Sequence, residues 1–588
     1  MASRRSPRPA IRRLDPDTIE RIAAGEVVER PASAVKELVE NAYDAGAGSI
    51  TIRVRGGGLE RIEVADDGTG IPPGELELAV ERHATSKLPP DGPVEAIASL
   101  GFRGEALAAI SAVSRLRLLS RPPGADAAEG IEVVAGKVVQ RFVEPRSPGT
   151  TVEVADLFFN TPARRKFLRS GAREQVEVVR VLEQLYLACP TVALRLFAEA
   201  GELASYPAAS TVPEAAGRVL GAEFPAASFP LRADGAEAKV DGALGPPALA
   251  GPTSAGLFLS VNGRPVASRS LVQAVRIGFG TTLPRPRFPV GVVHLTIDPG
   301  RVDVNVHPTK REVRLLAARE VEDELRRAVA EAVVGSPRLS EPQRAAGARA
   351  PRAPVPASPP VRAAAPVAVA RPAPVQRTLA PESGGVGTMP VAAAGGRPRL
   401  ELLGPFAALY WVAVSDDGLV LIDQHAASER LLYDTLRAGG VLARQTLVDP
   451  IPLTLTAAER ASLVAHAEEV RATGFAVEPF GPGSYRVLAV PSYRGRTVRA
   501  EAVVELLREL AEGGRPTLPD GLEERRAASI ACHAAIRAGD VVERTRIAEL
   551  LGLLDREPDR PRTCPHGRPI FVHLPRARLD RWFLRSGA

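Results

Sequence analysis

Lys36-Glu37-Leu38-Val39-Glu40-Asn41 sets Glu37 and Asn41 four residues apart, in a segment patterned as a helix. Residues i and i+4 share a helix face, so the two side chains converge on one spot. A carboxylate there can orient or deprotonate a water, and an amide oxygen can ligate Mg²⁺ held by phosphates. Glu40 and Asp44 offer competing groups, and residue type alone leaves both pairs open. Downstream follow the turn Asp66-Asp67-Gly68-Thr69-Gly70 and the segment Gly101-Phe102-Arg103-Gly104-Glu105. Glycines let a backbone approach a nucleotide and aim N–H groups at its charge. These are parts of a nucleotide hydrolase, without the GxxxxGK[ST] loop of P-loop enzymes.

Longer strings extend the pattern: Ile22 to Pro31, His83-Ala84-Thr85-Ser86-Lys87, Gly101 to Leu107, Asn160-Thr161-Pro162-Ala163-Arg164-Arg165-Lys166-Phe167-Leu168 and Asp303 to Lys310. In this order they resemble the GHKL ATPases and, in their detailed wording, the MutL mismatch-repair family, over nearly all of the chain outside one linker. The resemblance implies a multidomain α+β and α/β architecture. Its parts are a GHKL (Bergerat) ATPase sandwich at 1–210, a ribosomal-protein-like α/β domain at 211–335, a flexible linker at 336–397 and an α+β dimerisation domain at 398–588. It also decides between the competing pairs, making Glu37 the general base and Asn41 the Mg²⁺ ligand. ATP is the implied nucleotide. Asp66 would accept the adenine amino group, with Gly68 and Gly70 letting the base sit close. Thr85, Ser86, Lys87, Gly101, Phe102, Arg103 and Gly104 would form a phosphate lid. Lys310, from the second domain, would reach the γ-phosphate and distinguish ATP from ADP, a route to an ATP-driven switch.

The composition fits this outline. A chain of 588 residues suggests about four folding units. The hydrophobic fraction of 45% is that of a globular protein, and no apolar run reaches the roughly 18 residues of a membrane span. The basic start Met1-Ala2-Ser3-Arg4-Arg5 lacks the apolar core of a signal peptide, and three cysteines do not make a disulfide framework, so a cytoplasmic location is expected. The net charge of +6 permits DNA binding without demonstrating it, and Arg164-Arg165-Lys166 beside Arg169 is a candidate for phosphate contact or a solvated helix start.

Strands are expected at Ser49 to Arg55, Leu59 to Ala65, Leu257 to Asn262, Val292 to Ile297, Tyr410 to Val414 and Leu419 to Ile422. From Ser336 to Arg397 the chain lacks aromatic residues and aspartate, and eight arginines face only Glu341 and Glu382. Such a stretch cannot offset its ordering entropy by burial. As a flexible coil it would span roughly 40 Å, and up to about 190 Å if polyproline-like.

A second constellation lies beyond the linker. Asp423-Gln424-His425-Ala426 ends a strand, and Glu429 follows His425 by one helical turn. Far downstream stand Cys532 and Cys564-Pro565-His566. The set resembles the endonuclease motif of MutL proteins from organisms without a separate strand-nicking partner. The motif implies Asp423, His425, Glu429, Cys532, Cys564 and His566 as ligands for Zn²⁺ or Mn²⁺, with Asp423 catalytic. Asp434 stands where the motif has a second glutamate, keeping the charge on a shorter arm. His533 and His573 read as structural. Gln445-Thr446-Leu447-Val448-Asp449-Pro450 resembles the segment that docks family members onto the replicative sliding clamp. The implied partners are DNA, a MutS-type mismatch sensor, the clamp and a second copy of the chain. The function expected is mismatch repair with the chain's own ATP-switched nicking activity, the alternative being a matchmaker that recruits another nuclease. A topoisomerase would need a catalytic tyrosine domain for which residues after 335 leave no room. A histidine kinase would lack the second α/β domain and carry a phosphoacceptor module.

Overall fold

The computed structural model describes residues 27–87, 100–101, 104–251, 253–283, 287–303, 313–336, 400–407, 409–437, 443–481, 483–493, 496–500, 502–511, 531, 542–554, 562–565 and 567–583. The chain forms two compact units, Met1–Leu339 with Thr435–Ala534, and Ser340–Asp434 with Ala535–Ala588. The segment 398–588 is thus shared between them. The expected linker lies outside the described residues apart from Ser336.

The first unit begins with a layer of helices on an eight-stranded mixed sheet, the sandwich expected from the sequence. Its strands are β1 (Ser49–Arg55), β2 (Arg61–Asp66), β3 (Arg115–Arg121), β4 (Ala128–Val134), β5 (Lys137–Glu144), β6 (Gly149–Ala155), β7 (Ala193–Ala198) and β8 (Gly201–Tyr206). They run in the order β5-β4-β3-β6-β2-β1-β7-β8, with β1 and β7 parallel and the other neighbours antiparallel. Period-two alternation puts Ile50, Ile52 and Val54 of β1 inside and Ser49, Arg53 and Arg55 outside. On the outer face Arg53 bonds Glu63 at 2.7 Å, and Arg61 reaches Glu63 and Glu153 at 2.9 Å each. β2 starts at Arg61 rather than Leu59 because the glycines Gly56–Gly58 form a tight turn before it.

The helices here are α1 (Pro31–Asp44), α2 (Ala106–Ala112), α3 (Pro162–Phe167) and α4 (Gly171–Ala188); α1, α2 and α4 supply residues to the core against the sheet, whereas α3 buries none. Pro31 at the first helical position of α1 suits its fixed φ, and Val35, Leu38, Val39 and Ala42 form the buried stripe. That stripe packs against α4, whose Val178, Val179, Leu182 and Tyr186 join the same core.

Next comes a five-stranded sheet, β9 (Phe229–Asp234), β10 (Lys239–Leu244), β11 (Leu257–Val261), β12 (Arg264–Pro265) and β13 (Gly291–Thr296), ordered β12-β11-β13-β10-β9. Helices α5 (Val212–Leu220), α6 (Phe224–Ala227), α7 (Arg269–Gly278) and α8 (Ala318–Gly335) accompany it. α7 and α8 pack together. The unit closes with the strands Ala443–Thr454, Ala476–Gly481 and Ser484–Tyr493 and the helices Ala457–Ala465, Ala467–Ala472 and Ala502–Ala511, a lobe with its own core of Leu453, Leu455, Val487, Leu506 and Leu507.

The second unit is an antiparallel sheet of Glu401–Phe406, Tyr410–Ser415, Gly418–Asp423 and Phe571–Pro575, with the helix Arg544–Leu554 and the first turns of Gln424–Arg437. Trp411, Ile422, Ile547, Leu551 and Ile570 form its core. Among the described residues no helix is long and apolar enough to cross a membrane.

One glycine shows how tightly the first layer is assembled. Gly57 has φ +65°, and a Cβ there would lie 1.9 Å from the carbonyl oxygen of Gly171, where α4 begins. Gly57→Ala is expected to destabilise the chain by about 2–4 kcal/mol through strain and the displaced α4 terminus. Thermal unfolding of the full-length variant at the parental temperature would contradict this close approach.

Candidate functional site

The polar end of α1 gathers most of the nucleotide residues that the structure describes. Glu37 and Glu40 are both buried, but they differ in setting. Glu40 pairs with Lys36 one turn back at 3.4 Å. It also adds to the field that, after burial and Asp44, pushes the Cys189 thiol up to about 11. Asn41 Oδ1 accepts from Lys87 Nζ at 2.8 Å, so an ammonium cation already sits at the amide oxygen. Lys87 Nζ also bonds Asp44 Oδ2 at 2.5 Å. Asp44 accepts from the amides of Leu100 and Gly101 at 2.9 Å each. It is therefore the hub that holds the Thr85-Ser86-Lys87 and Gly101 segments over the end of α1. Residue type had left Asp44 only as a rival for Asn41; the signal for its role was its spacing of three from Asn41, on the same helix face.

The glycines of the site are close-packed. A Cβ on Gly101 would lie 2.7 Å from Lys87 Nζ and 3.5 Å from Asn41 Oδ1. Gly104 has φ +61°, and its Cβ would lie 2.4 Å from Ala84 O, while the Glu105 carboxylate is 3.6 Å from His83 Nδ1. Thr85 Oγ1 accepts from the Lys87 amide at 3.2 Å. Asp66 Oδ1 accepts from Gly68 N at 2.9 Å and Thr150 N at 3.2 Å, and Arg146 bonds the Asp66 carbonyl at 2.9 Å. Burial raises the Asp66 pKa from its usual range, and the two amides and Arg146 oppose the shift. The turn is fastened to α1 by Thr69 N on Ala45 O at 3.0 Å. Gly70 must be glycine, with φ +70° and Arg121 O at 2.7 Å from its would-be Cβ. Phe102, Arg103 and Lys310 lie outside the described residues.

Two contacts had no sequence signal. Arg264 on β12 is buried and donates to Leu100 O at 2.8 Å, which ties the second sheet to the segment bonded to Asp44. Asn160 donates to Ala112 O at 2.8 Å and so closes the C-terminus of α2. The basic run Arg164-Arg165-Lys166 divides. Arg164 is committed to Val28 O at 2.9 Å, whereas Arg165 and Lys166 are exposed.

The second constellation is described only in part, because Cys532, His533 and His566 lie outside the described residues. Among the described residues no group of three or more His, Cys, Asp or Glu is placed to hold a metal ion. Asp423 ends its strand and accepts from Ala426 N at 2.9 Å, which caps the helix Gln424–Arg437. His425 and Glu429 are one turn apart on that helix, and Glu429 is 1% exposed. Cys564 is buried in a turn closed by Gly567 N on its carbonyl at 2.9 Å. Asp434 is held by Arg430 at 2.8 Å, an ion pair within the helix. His573 bonds Asp417 at 3.1 Å. Gln445 to Pro450 lies where the Ala443–Thr454 strand slips register between Thr446 and Ile451, with Val448 98% exposed.

Three family models match the chain in succession. Residues 29–140 match the histidine kinase-, DNA gyrase B- and HSP90-like ATPase. Residues 216–334 match the C-terminal domain of DNA mismatch repair protein, and 403–542 the MutL C terminal dimerisation domain. The DNA mismatch repair protein MutL of Desulforudis audaxviator (strain MP104C) is 40% identical over 98% of this chain and 100% of that protein. That of Methanoculleus marisnigri is 39% identical over the same shares. The chain belongs to the MutL family. The ATPase domain of Aquifex aeolicus MutL complexed with ADP is 28% identical over 46% of this chain and 94% of that one, with a TM-score of 0.36.

The MutL resemblance is borne out by the family models and the two relatives, and α1 lies within the residues matched to the ATPase model. Asp44→Ala should release Lys87 and the Leu100 and Gly101 amides, lowering their hydrogen-exchange protection while α1 itself stays protected. Unchanged protection at both the Leu100 and Gly101 amides would remove Asp44 as the hub.

Proposed function

We propose that the chain is an ATP-switched, dimeric mismatch-repair protein whose C-terminal region is itself a metal-dependent nicking endonuclease. The observation that carries the first half is the convergence of Asn41, Asp44, Lys87 and Gly101 at the end of α1, beside buried Glu37. A cation on Asn41 Oδ1 and glycines with no room for a side chain fit a metal-bound nucleotide. Bound Mg²⁺ would neutralise phosphate charge. Glu37 would orient and deprotonate the water, and Asp66 would offer Oδ2 to the adenine amino group. Lys87 would exchange Asp44 for phosphate, with Thr85, Ser86 and the backbone of Gly101 to Gly104 around it. Lys310 would sense the γ-phosphate from the second domain.

The second half is supported by Asp423 at a strand–helix junction, with His425 and buried Glu429 on the helix it caps. Cys564 and, from the sequence, Cys532 and His566 would complete a set of N, O and S donors suited to Zn²⁺ or Mn²⁺. Such a metal would supply a Lewis acid for phosphodiester cleavage. The second unit leaves Leu403, Phe406, Trp582 and Phe583 exposed, apolar surface for a second copy. The bulged, exposed Gln445–Pro450 segment suits a sliding clamp, Arg165 and Lys166 suit DNA phosphates, and a MutS-type sensor would act upstream.

Glu37→Ala should still bind ATP while hydrolysing it at least about a hundredfold more slowly. Turnover near the parental rate would remove Glu37 as the base. Purified protein with supercoiled plasmid and Mn²⁺ should nick it, and Asp423→Asn should not. No nicking by the parent, with ATP and a clamp present, would leave the matchmaker, for which the Arg430–Asp434 pair at the motif's outer position speaks.

A further inference from the structure

The helix Ala457–Ala465 belongs to the same compact unit as the ATPase layer and packs on α4 and β8. Ala457 and Ala461 enter the core shared by Leu182 and Tyr186 of α4 and Ala204 and Tyr206 of β8. Arg460 donates to Leu203 O of β8, and Arg173 of α4 bonds Glu469 at 3.0 Å. Buried Glu183 of α4 accepts from the Tyr206 hydroxyl at 3.2 Å and from the Ala458 amide. That amide is one of the N–H groups that the start of a helix leaves without an intrahelical partner. Thr456 and Glu459 form a capping box at the same terminus. A carboxyl group of the ATPase layer therefore completes the cap of a helix from a segment more than 240 residues later in the chain.

We propose that this face of α4 and β8 is a docking surface for the 443–511 lobe of the same chain, a latch whose opening and closing is passed to the nucleotide helix α1. The latch is releasable because each side keeps its own core. The lobe retains Leu453, Leu455, Val487, Leu506 and Leu507, and the layer retains the α1–α4–sheet core. The contact combines the small Ala457 and Ala461 against Leu182, Tyr186 and Tyr206 with a rim of arginines and carboxyl groups, the mixed make-up of an interface between moving domains. The relay is electrostatic and short. Arg173 adjoins Glu174, and Glu174 and Glu177 hold Arg30 at 3.6 and 3.3 Å. Arg30 is the residue from which α1 starts.

Two buried groups make the latch pH-dependent. Glu183 faces Tyr206 from β8, Ala458 and Glu459 from the docked helix, and Arg180 from α4, while Arg460 of the docked helix acts on Tyr206. Burial, offset by the Tyr206 hydrogen bond and reinforced by Glu459, pushes it from 4.5 up to about 8. The folded form then holds a proton that the exposed form loses, so docking weakens as pH rises from about 4.5 to about 8. His466 faces Glu469, Arg173 and Arg169, and burial lowers its pKa from 6.5. Charging it opposes docking below that value. Above pH 6.5 only Glu183 remains to weaken the latch.

The latch goes beyond the ATPase and nicking assignments, and its readout is independent of turnover. Hydrogen exchange of the full-length protein, expressed as protection factors, tests it. Arg173→Glu is expected to lower protection at β8, at 457–472 and at α1 by about tenfold or more, and adding Glu469→Arg is expected to restore it. Unchanged protection in the single variant, or no restoration in the double one, overturns the latch. Protection lost at 457–472 with α1 unmoved overturns the relay. Glu183→Gln keeps the hydrogen-bond acceptor and removes the proton, so the fall in protection between pH 6.5 and 8 should vanish; its persistence would overturn the role of Glu183.

Discussion

α1 packs on the eight-stranded sheet and beside α4, and one helix must serve both an apolar core and a polar site. Its Val35–Leu38–Val39–Ala42 stripe is committed to the core, while Glu37, Glu40, Asn41 and Asp44 occupy the remaining arc. A helix of 14 residues has no spare face, so each polar group needs a protein partner or a ligand. Lys36 answers Glu40, and Lys87 answers Asn41 and Asp44. From this follow the position of the lid segment, the turn at Gly68 and Gly70 against Ala45, and the reach of Arg264 to Leu100.

The same helix links the site to distant parts of the chain. Its start is held by Arg30 on Glu174 and Glu177 of α4, and α4 carries Arg173 and Glu183 toward the 443–511 lobe. Each individual ion pair at partial exposure is worth about 0–1 kcal/mol. Their effect is to fix the register between packed elements, which is how a small displacement at one end of α4 can be felt at α1.

Much of the candidate nucleotide site was legible before any coordinates. Glu37 and Asn41 could be paired by helical spacing, and the glycines of the Asp66 turn by their need for close approach. The sandwich fold followed from strings long enough to identify a family. The Asp44 hub was harder, because an aspartate beside two rivals has no distinguishing local pattern. Arg264 and Asn160 were invisible, since each bonds a carbonyl distant in sequence. The Cys/His constellation remains a sequence statement, with Cys532 and His566 outside the described residues.

Sequence by itself determined the helix face of α1, the alternation of β1 and the membership of the MutL family, because these rest on local periodicity and on motif wording. Tertiary structure decided which acid on α1 holds Lys87, Leu100 and Gly101 and which arginine ties the second sheet to Leu100. It alone decided that a glutamate on α4 caps a helix of the C-terminal lobe. Those choices depend on which side chains share a small volume after folding, and no local pattern encodes that.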